Sequence, residues 1–312
     1  MQRMPIISKH RRLTLADYKN DSQYGIGHLI NRLYIHWDLL TKCNFHCSYC
    51  YAKDWYTKSN QWNLESPLAR QKFIIKCIEK AQLPVFLGIL GGEPTEDENL
   101  DLIIRMILKD IIPRHPDNRV YITTNLYNYV EFPQNDKLFV LCSYHPEFRY
   151  AKRFVSNVKK IKNKVRINLM LIPGYENDLK FIFNELSDFD IHPHFVYKNH
   201  RSELIYNVFD EFKEMRQKHR EFVYDGKLFS DFELLEQNKN CYYNWLCYNN
   251  NYEISFDGNV KNLCLNSSKS LYLDPNFFAK ISEIDAMRCP HEFCNCDGLL
   301  KCFKIKDNNS KI

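Results

Sequence analysis

From Arg32 onward, short apolar runs alternate with longer segments whose apolar positions recur at helical spacing. The runs are Leu33–Trp37, Val85–Leu90, Val120–Thr123, Leu138–Cys142, Val165–Ile172 and His194–Tyr197. Between them lie SPLARQKFIIKCIEKAQ, LDLIIRMILKDII, AKRFVSNVKKIKN and DLKFIFNELSDF. The first helical segment opens on Ser66-Pro67, a capping residue followed by proline at the first helical position. Its Phe73, Ile74, Cys77 and Ile78 share one face, as a helix covering a sheet requires. Continuous apolar strands separated by helices predict a parallel sheet buried on both faces. Six such units are too few for a closed eight-fold barrel, so the expected fold is α/β, a partial (β/α)6 TIM-like barrel over residues 31–200. Ligands of such sheets sit at the carboxyl ends of the strands. Residues 1–30 read as a polar lead-in, 201–235 as a charged helical linker, 236–304 as a cysteine-rich extension and 305–312 as a frayed tail.

Composition narrows the class. With 45% hydrophobic residues and 14% aromatics, the chain buries a sizeable core and is not disordered. No apolar run approaches the roughly 20 residues that span a bilayer, and the basic start lacks the apolar stretch of a secretory signal. A soluble cytoplasmic protein with no membrane partner is expected. The net charge of +5 is spread through a lysine- and asparagine-rich surface, which disfavours a nucleic-acid partner. In that compartment the 12 cysteines are not a disulfide framework, and their clustering points to metal binding.

Three thiols follow the first strand in DLLTKCNFHCSYCY, spaced Cys43-x3-Cys47-x2-Cys50. A closed structural zinc site wants four ligands, with His46 as the available fourth. A 4Fe–4S cluster instead takes three cysteines and keeps one iron open. CNFHCSYC resembles the signature of radical S-adenosylmethionine (radical SAM) enzymes, with Tyr49 in the aromatic position. The next strand, VFLGIL, runs into Gly91-Gly92-Glu93-Pro94, which resembles the GGEP motif of that family. The resemblance implies that Cys43, Cys47 and Cys50 hold a 4Fe–4S cluster. It also implies that the open iron binds S-adenosylmethionine and that the glycine-rich segment seats its methionine end. Glycines suit that place because a residue without Cβ lets backbone approach a ligand closely. Reductive cleavage of the cofactor then gives a 5′-deoxyadenosyl radical that abstracts hydrogen from substrate. The electrons come from a donor such as flavodoxin or ferredoxin.

Later strand ends fit the resemblance less sharply. Thr124-Asn125 matches the third strand end, although Leu126 stands where glycine is common. Ser143, after the fourth strand, is a candidate for cofactor ribose or carboxylate, or for a neighbouring backbone group. Asn168, Met170 and His194 are expected to face the barrel interior. His145, Glu147 and His194 are candidate acids or bases on position alone, and the catalytic group stays unassigned. Cys77 and Cys142 read as core residues.

Seven cysteines lie between Cys241 and Cys302. EISFDGNVKNLC predicts a hairpin turning at Asp257-Gly258, with Cys247 and Cys264 flanking it. The arrangement resembles the SPASM and twitch extensions of radical SAM enzymes, which hold auxiliary 4Fe–4S clusters. The preferred ligands of one auxiliary cluster are Cys247, Cys264, Cys294 and Cys296, leaving Cys241, Cys289 and Cys302 spare. Two clusters, or a zinc ribbon on the same thiols, are the alternatives. The expected substrate is a peptide or a small molecule. The shortness of residues 1–30 favours a small substrate, a nucleotide-linked one or a separately recruited leader. A non-catalytic iron–sulfur or zinc module on the same fold is the alternative function.

Overall fold

The computed structural model describes residues 25–26, 32–50, 66–195, 222–224, 227–229, 233–234, 237, 239–243, 245–264, 268–284, 287–289, 294 and 303–305. Six strands form the predicted parallel sheet: β1 Leu33–Asp38, β2 Val85–Leu90, β3 Arg119–Thr124, β4 Leu138–Tyr144, β5 Lys164–Leu171 and β6 Asp190–Phe195. The connections carry helices α1 Pro67–Ile78, α2 Leu100–Asp110, α3 Ala151–Val158 and α4 Glu176–Glu185. Ser66 caps α1 by accepting the Ala69 N–H at 3.2 Å. That helix buries Ile74, Ile75, Cys77 and Ile78, close to the face read from the sequence. Cys142 is likewise a core residue.

Strand β6 begins at Asp190 rather than at His194. Its polar first half, Asp190-Ile-His-Pro, hides it from a search for apolar runs. The strand closes one end of the sheet, where Pro193 removes no needed donor, and Asp190 pairs with Arg166 of β5 at 2.8 Å.

The opposite end is extended from the cysteine-rich region. Strand β7 is Leu246–Tyr248, and β8 Asn251–Ile254 and β9 Asn259–Asn262 form the expected hairpin around Asp257-Gly258. β8 pairs in parallel with β1, and β9 continues to β10 Ser268–Ser270. The sheet order is therefore β10-β9-β8-β1-β2-β3-β4-β5-β6. A second, small sheet joins β7 to β11 Met287–Arg288 and β12 Phe303–Ile305. Of the predicted linker helix, Phe222–Tyr224 instead forms a strand paired with Lys227–Phe229, and 201–221 lies outside the described residues.

The two faces of the main sheet differ. Leu33, Ile35, Trp37, Leu87, Ile89, Val120 and Ile122 are wholly buried on the helix side. On the inner face Tyr34, His36, Phe86, Thr123, Leu141 and Met170 keep partial exposure. Among the described residues no helix is long and apolar enough to cross a membrane.

Candidate functional site

The cysteine loop leaves β1 and folds over the end of β2. Leu39 N–H donates to Leu90 O at 2.9 Å, Gly92 N–H to Leu40 O at 2.9 Å and Glu93 N–H to Lys42 O at 2.9 Å. A Cβ on Gly91 would overlap the Leu40 carbonyl, and one on Gly92 the Lys42 carbonyl. Gly91 also has φ +121°. Glycine is thus demanded at both positions by close approach to the cysteine loop. Phe45 anchors the middle of that loop, stacked on Phe148 at 3.8 Å between centroids and edge-on to Tyr127 and Tyr150.

Glu93 is almost fully buried. Its carboxylate accepts the Thr95 N–H and hydroxyl, the Thr124 hydroxyl at 2.6 Å and the Asn125 N–H at 2.7 Å. Burial raises its pKa while these donors oppose the shift. The motif glutamate is thus a fastener between the ends of β2 and β3. Asn125 in turn donates to Asn44 on the cysteine loop at 2.7 Å. Pro94 starts a short 3-10 turn. Leu126 adopts φ +52° while fully buried, so the chain keeps a glycine-type backbone at the position where the resemblance expects glycine. Ser143 is buried at the end of β4, in register with Asn168 of β5. Met170 is in register with His194, whose side chain lies outside the described residues.

The other catalytic candidates pack on the cysteine loop. His145 Nδ1 lies 2.8 Å from the Tyr49 hydroxyl and 3.5 Å from Cys47 Sγ. Burial pushes its pKa down to about 4, so it is neutral. Glu147 accepts both the Ser48 N–H, at 2.9 Å, and the Ser48 hydroxyl. His145 and Glu147 thereby brace the segment that carries the thiols.

Cys43 and Cys47 are pushed up to about 11 and about 12, chiefly by burial; Cys50 contributes to both shifts and Cys43 to that of Cys47. The three sulfurs therefore lie within one electrostatic neighbourhood. Among the described residues, no group of three or more Cys, His, Asp or Glu is placed to hold a metal ion. A four-iron cluster spreads its thiolates over separate corners, and its charge stabilises thiolates that burial alone disfavours. The donor set fits the cluster.

In the tail, Cys247, Cys289 and Cys294 are buried together in a second core with Tyr242, Phe229 and Leu234. Cys264 is buried at the end of the hairpin and Cys241 is exposed. Cys296 and Cys302 lie outside the described residues. Cys289, set aside as spare on spacing, is thus brought beside two of the preferred ligands.

Residues 31–177 match the family described as a 4Fe-4S single cluster domain. Native anSMEcpe with bound AdoMet is similar over 74% of this chain and 74% of its own, at 16% identity and TM-score 0.50. The hexahistidine-tagged form with bound AdoMet is similar over 74% and 71%, at 16% identity and TM-score 0.51. The chain shares the fold of these AdoMet-bound proteins. SuiB from Streptococcus suis bound to precursor peptide SuiA is also similar, over 84% of this chain and 66% of that one, at 14% identity and TM-score 0.48. No curated protein sequence matches the chain.

Within the main sheet, a polar group absent from the sequence expectations occupies the inner face beside the cysteine loop. The Tyr121 hydroxyl and His36 Nδ1 share a hydrogen bond of 3.0 Å. Lys261 pairs with Glu253 at 3.0 Å, and Asp38 stands at the end of β1 with 9% exposure. The available signal was the alternation within LYIHWD, where Tyr34, His36 and Asp38 take the face opposite Leu33, Ile35 and Trp37.

Proposed function

We propose that this protein is a radical SAM enzyme whose Cys43, Cys47 and Cys50 ligate a 4Fe–4S cluster. The observation that carries this is the clamp between motifs, in which Gly92 and Glu93 N–H groups hold the carbonyls of Leu40 and Lys42 beside the first cysteine. When bound, the cluster and S-adenosylmethionine supply a 5′-deoxyadenosyl radical that abstracts hydrogen from substrate. The chain's residues do the positioning. Glu93 fixes the strand ends, Asn125 and Asn44 hold the loop, and Phe45 with Tyr49 and His145 shields the thiols. Ser143, Thr124, Asn125, Gly91, Gly92 and Pro94 remain the cofactor-side candidates. This aromatic shell would limit water access to the Cys47 side of a bound cluster.

In the same proposal, residues 31–200 form the catalytic barrel and 236–304 an auxiliary cluster region of SPASM or twitch type. The auxiliary ligands are drawn from Cys247, Cys264, Cys294 and Cys296, and the second core adds Cys289 to the candidates. The substrate is a peptide or small molecule, the electron donor a flavodoxin or ferredoxin, and the compartment the cytoplasm.

Anaerobically reconstituted protein with dithionite and S-adenosylmethionine should form 5′-deoxyadenosine, and the triple variant Cys43→Ala, Cys47→Ala, Cys50→Ala should not. Equal behaviour of the two removes the enzyme function and leaves the binding module. Iron analysis of the triple variant tests the tail: about four irons per chain mean one auxiliary cluster and about eight mean two. Zinc alone means a ribbon.

A further inference from the structure

The inner face of the sheet carries a carboxyl without a protein partner among the described residues. Asp38 is nine-tenths buried and its side chain makes no hydrogen bond or ion pair there, while its oxygens are not among the fully enclosed polar atoms. It lies on the same strand face as His36, two residues on, and its register partner on β2 is Leu90, immediately before Gly91. His36 is the register partner of Glu253 on β8, and Glu253 that of Lys261 on β9. Strands from the barrel and from the cysteine-rich region therefore meet at one polar cluster at the site end of the sheet.

The charges in this cluster do not balance. Lys261 answers Glu253. His36, bonded to Tyr121 and Asn251, is held neutral by burial, and burial keeps the Tyr121 phenol protonated. Asp38 is left over. The Asp38 oxygens keep some accessible surface within a largely buried side chain, so a hydrogen-bond donor can reach them where little water competes. With two carboxyls against one lysine, a cationic donor is favoured over a neutral one. Burial, followed by Glu253 and opposed by Lys261, pushes the Asp38 carboxyl up to about 7, so a cation beside it would hold it ionised. Below the cluster the inner face is aromatic: Tyr34 packs edge-on to Phe86 at 5.6 Å, and Phe86 contacts Tyr121 at 5.0 Å and Phe139 at 6.5 Å. The glycine at position 88 exists for this floor, because a Cβ there would overlap the Tyr121 ring.

We infer that Asp38, with Glu253 beside it, is the subsite that receives an ammonium group of the substrate above an aromatic floor. Assigning that group to the substrate rests on the enzyme function proposed above. The substrate class is accordingly an amine, either a small aminated molecule or a peptide amino group presented at the barrel mouth.

The test uses reconstituted holoenzyme with S-adenosylmethionine at pH 8 and three probes of one shape: benzylamine, benzyl alcohol and benzoate. Binding is followed by ligand-observed NMR. Benzylamine is expected to bind at least about tenfold tighter than benzyl alcohol, which is the scale of one charge-assisted hydrogen bond. Asp38→Asn should remove that preference and leave benzyl alcohol affinity as it was. Glu253→Gln should reduce the preference by at least about threefold, and it carries the test should Asp38→Asn not fold. Equal affinity for the amine and the alcohol overturns the assignment, as does an amine preference that neither variant changes. Preference for benzoate, abolished by Lys261→Met, would make this an anion site instead. Formation of 5′-deoxyadenosine by the same wild-type sample reports on the radical chemistry separately, because amine selectivity stands or falls without it.

Discussion

Thr124 donates its hydroxyl proton to Glu93 across 2.6 Å, and the Asn125 N–H reaches the other oxygen of the same carboxyl at 2.7 Å. One buried side chain thus ties the end of β3 to the turn that follows β2. In Glu93→Gln an amide NH2 would face donors that need an acceptor, leaving at least one unsatisfied. The expected loss is about 1–3 kcal/mol of stability. Thr124→Val keeps the carboxylate but removes two bonds, the hydroxyl's donation to Glu93 and its acceptance of the Leu126 N–H at 2.9 Å, so about 2 kcal/mol is expected. Urea denaturation measures both, and an unchanged midpoint in Glu93→Gln would show that the carboxyl is not the fastener.

Leu126 sets two effects against each other. Its left-handed φ of +52° costs an L-residue about 1–2 kcal/mol, and its fully buried side chain contributes more than that. Leu126→Gly should therefore destabilise despite relieving the backbone. Leu126→Ala, which loses the packing and keeps the strain, should be worse than glycine by about 1 kcal/mol. Thermal melts rank the three proteins. A glycine variant more stable than wild type would mean that backbone strain outweighs burial here.

The same residue shows where sequence patterns stop. The six parallel strands and the motif positions were legible because periodicity and local spacing are properties of short segments. Leu126 looked like a departure from the expected glycine, yet the backbone conformation is retained, since tertiary packing around a buried leucine can hold a strained φ. The parallel pairing of β8 with β1 was illegible for another reason: it joins residues far apart in the chain, and no local pattern encodes a partner. Asp38 was hidden by that pairing, because its environment is supplied by Glu253 and Lys261. The short spacing between Cys289 and Cys294 could likewise not show that both share a buried core with Cys247.

Gly92 separates steric need from conformational need. Gly92→Ala drives a methyl group into the Lys42 carbonyl, so the cysteine loop must move. Anaerobic reconstitution of this variant should yield about four fewer irons per chain than wild type, the content of one cluster. Gly174 is the control: its φ is +86°, but a Cβ there meets nothing within 4 Å. Gly174→Ala should cost about 1 kcal/mol and leave the iron content intact. Full iron loading of Gly92→Ala would show that the loop tolerates displacement.

Asp38 makes stability depend on pH in an unusual direction. Its carboxyl is raised from 3.8 to about 7, mainly by burial and then by Glu253, with Lys261 opposing. Between those values the folded state binds a proton that the unfolded state has released, so stability falls as pH rises through the window. The full difference is on the order of 4 kcal/mol as an upper bound. His36, also on this face, acts oppositely: its lowered pKa gives stability that is present above 6.5 and lost as pH falls. Tyr121 stays protonated throughout, and the Glu253–Lys261 pair is common to wild type and variant. The difference between wild type and Asp38→Asn therefore isolates the carboxyl. Urea midpoints from pH 4.5 to 8 should show the variant gaining on wild type as pH rises. Parallel curves would place Asp38 in contact with water or with a donor in the folded protein.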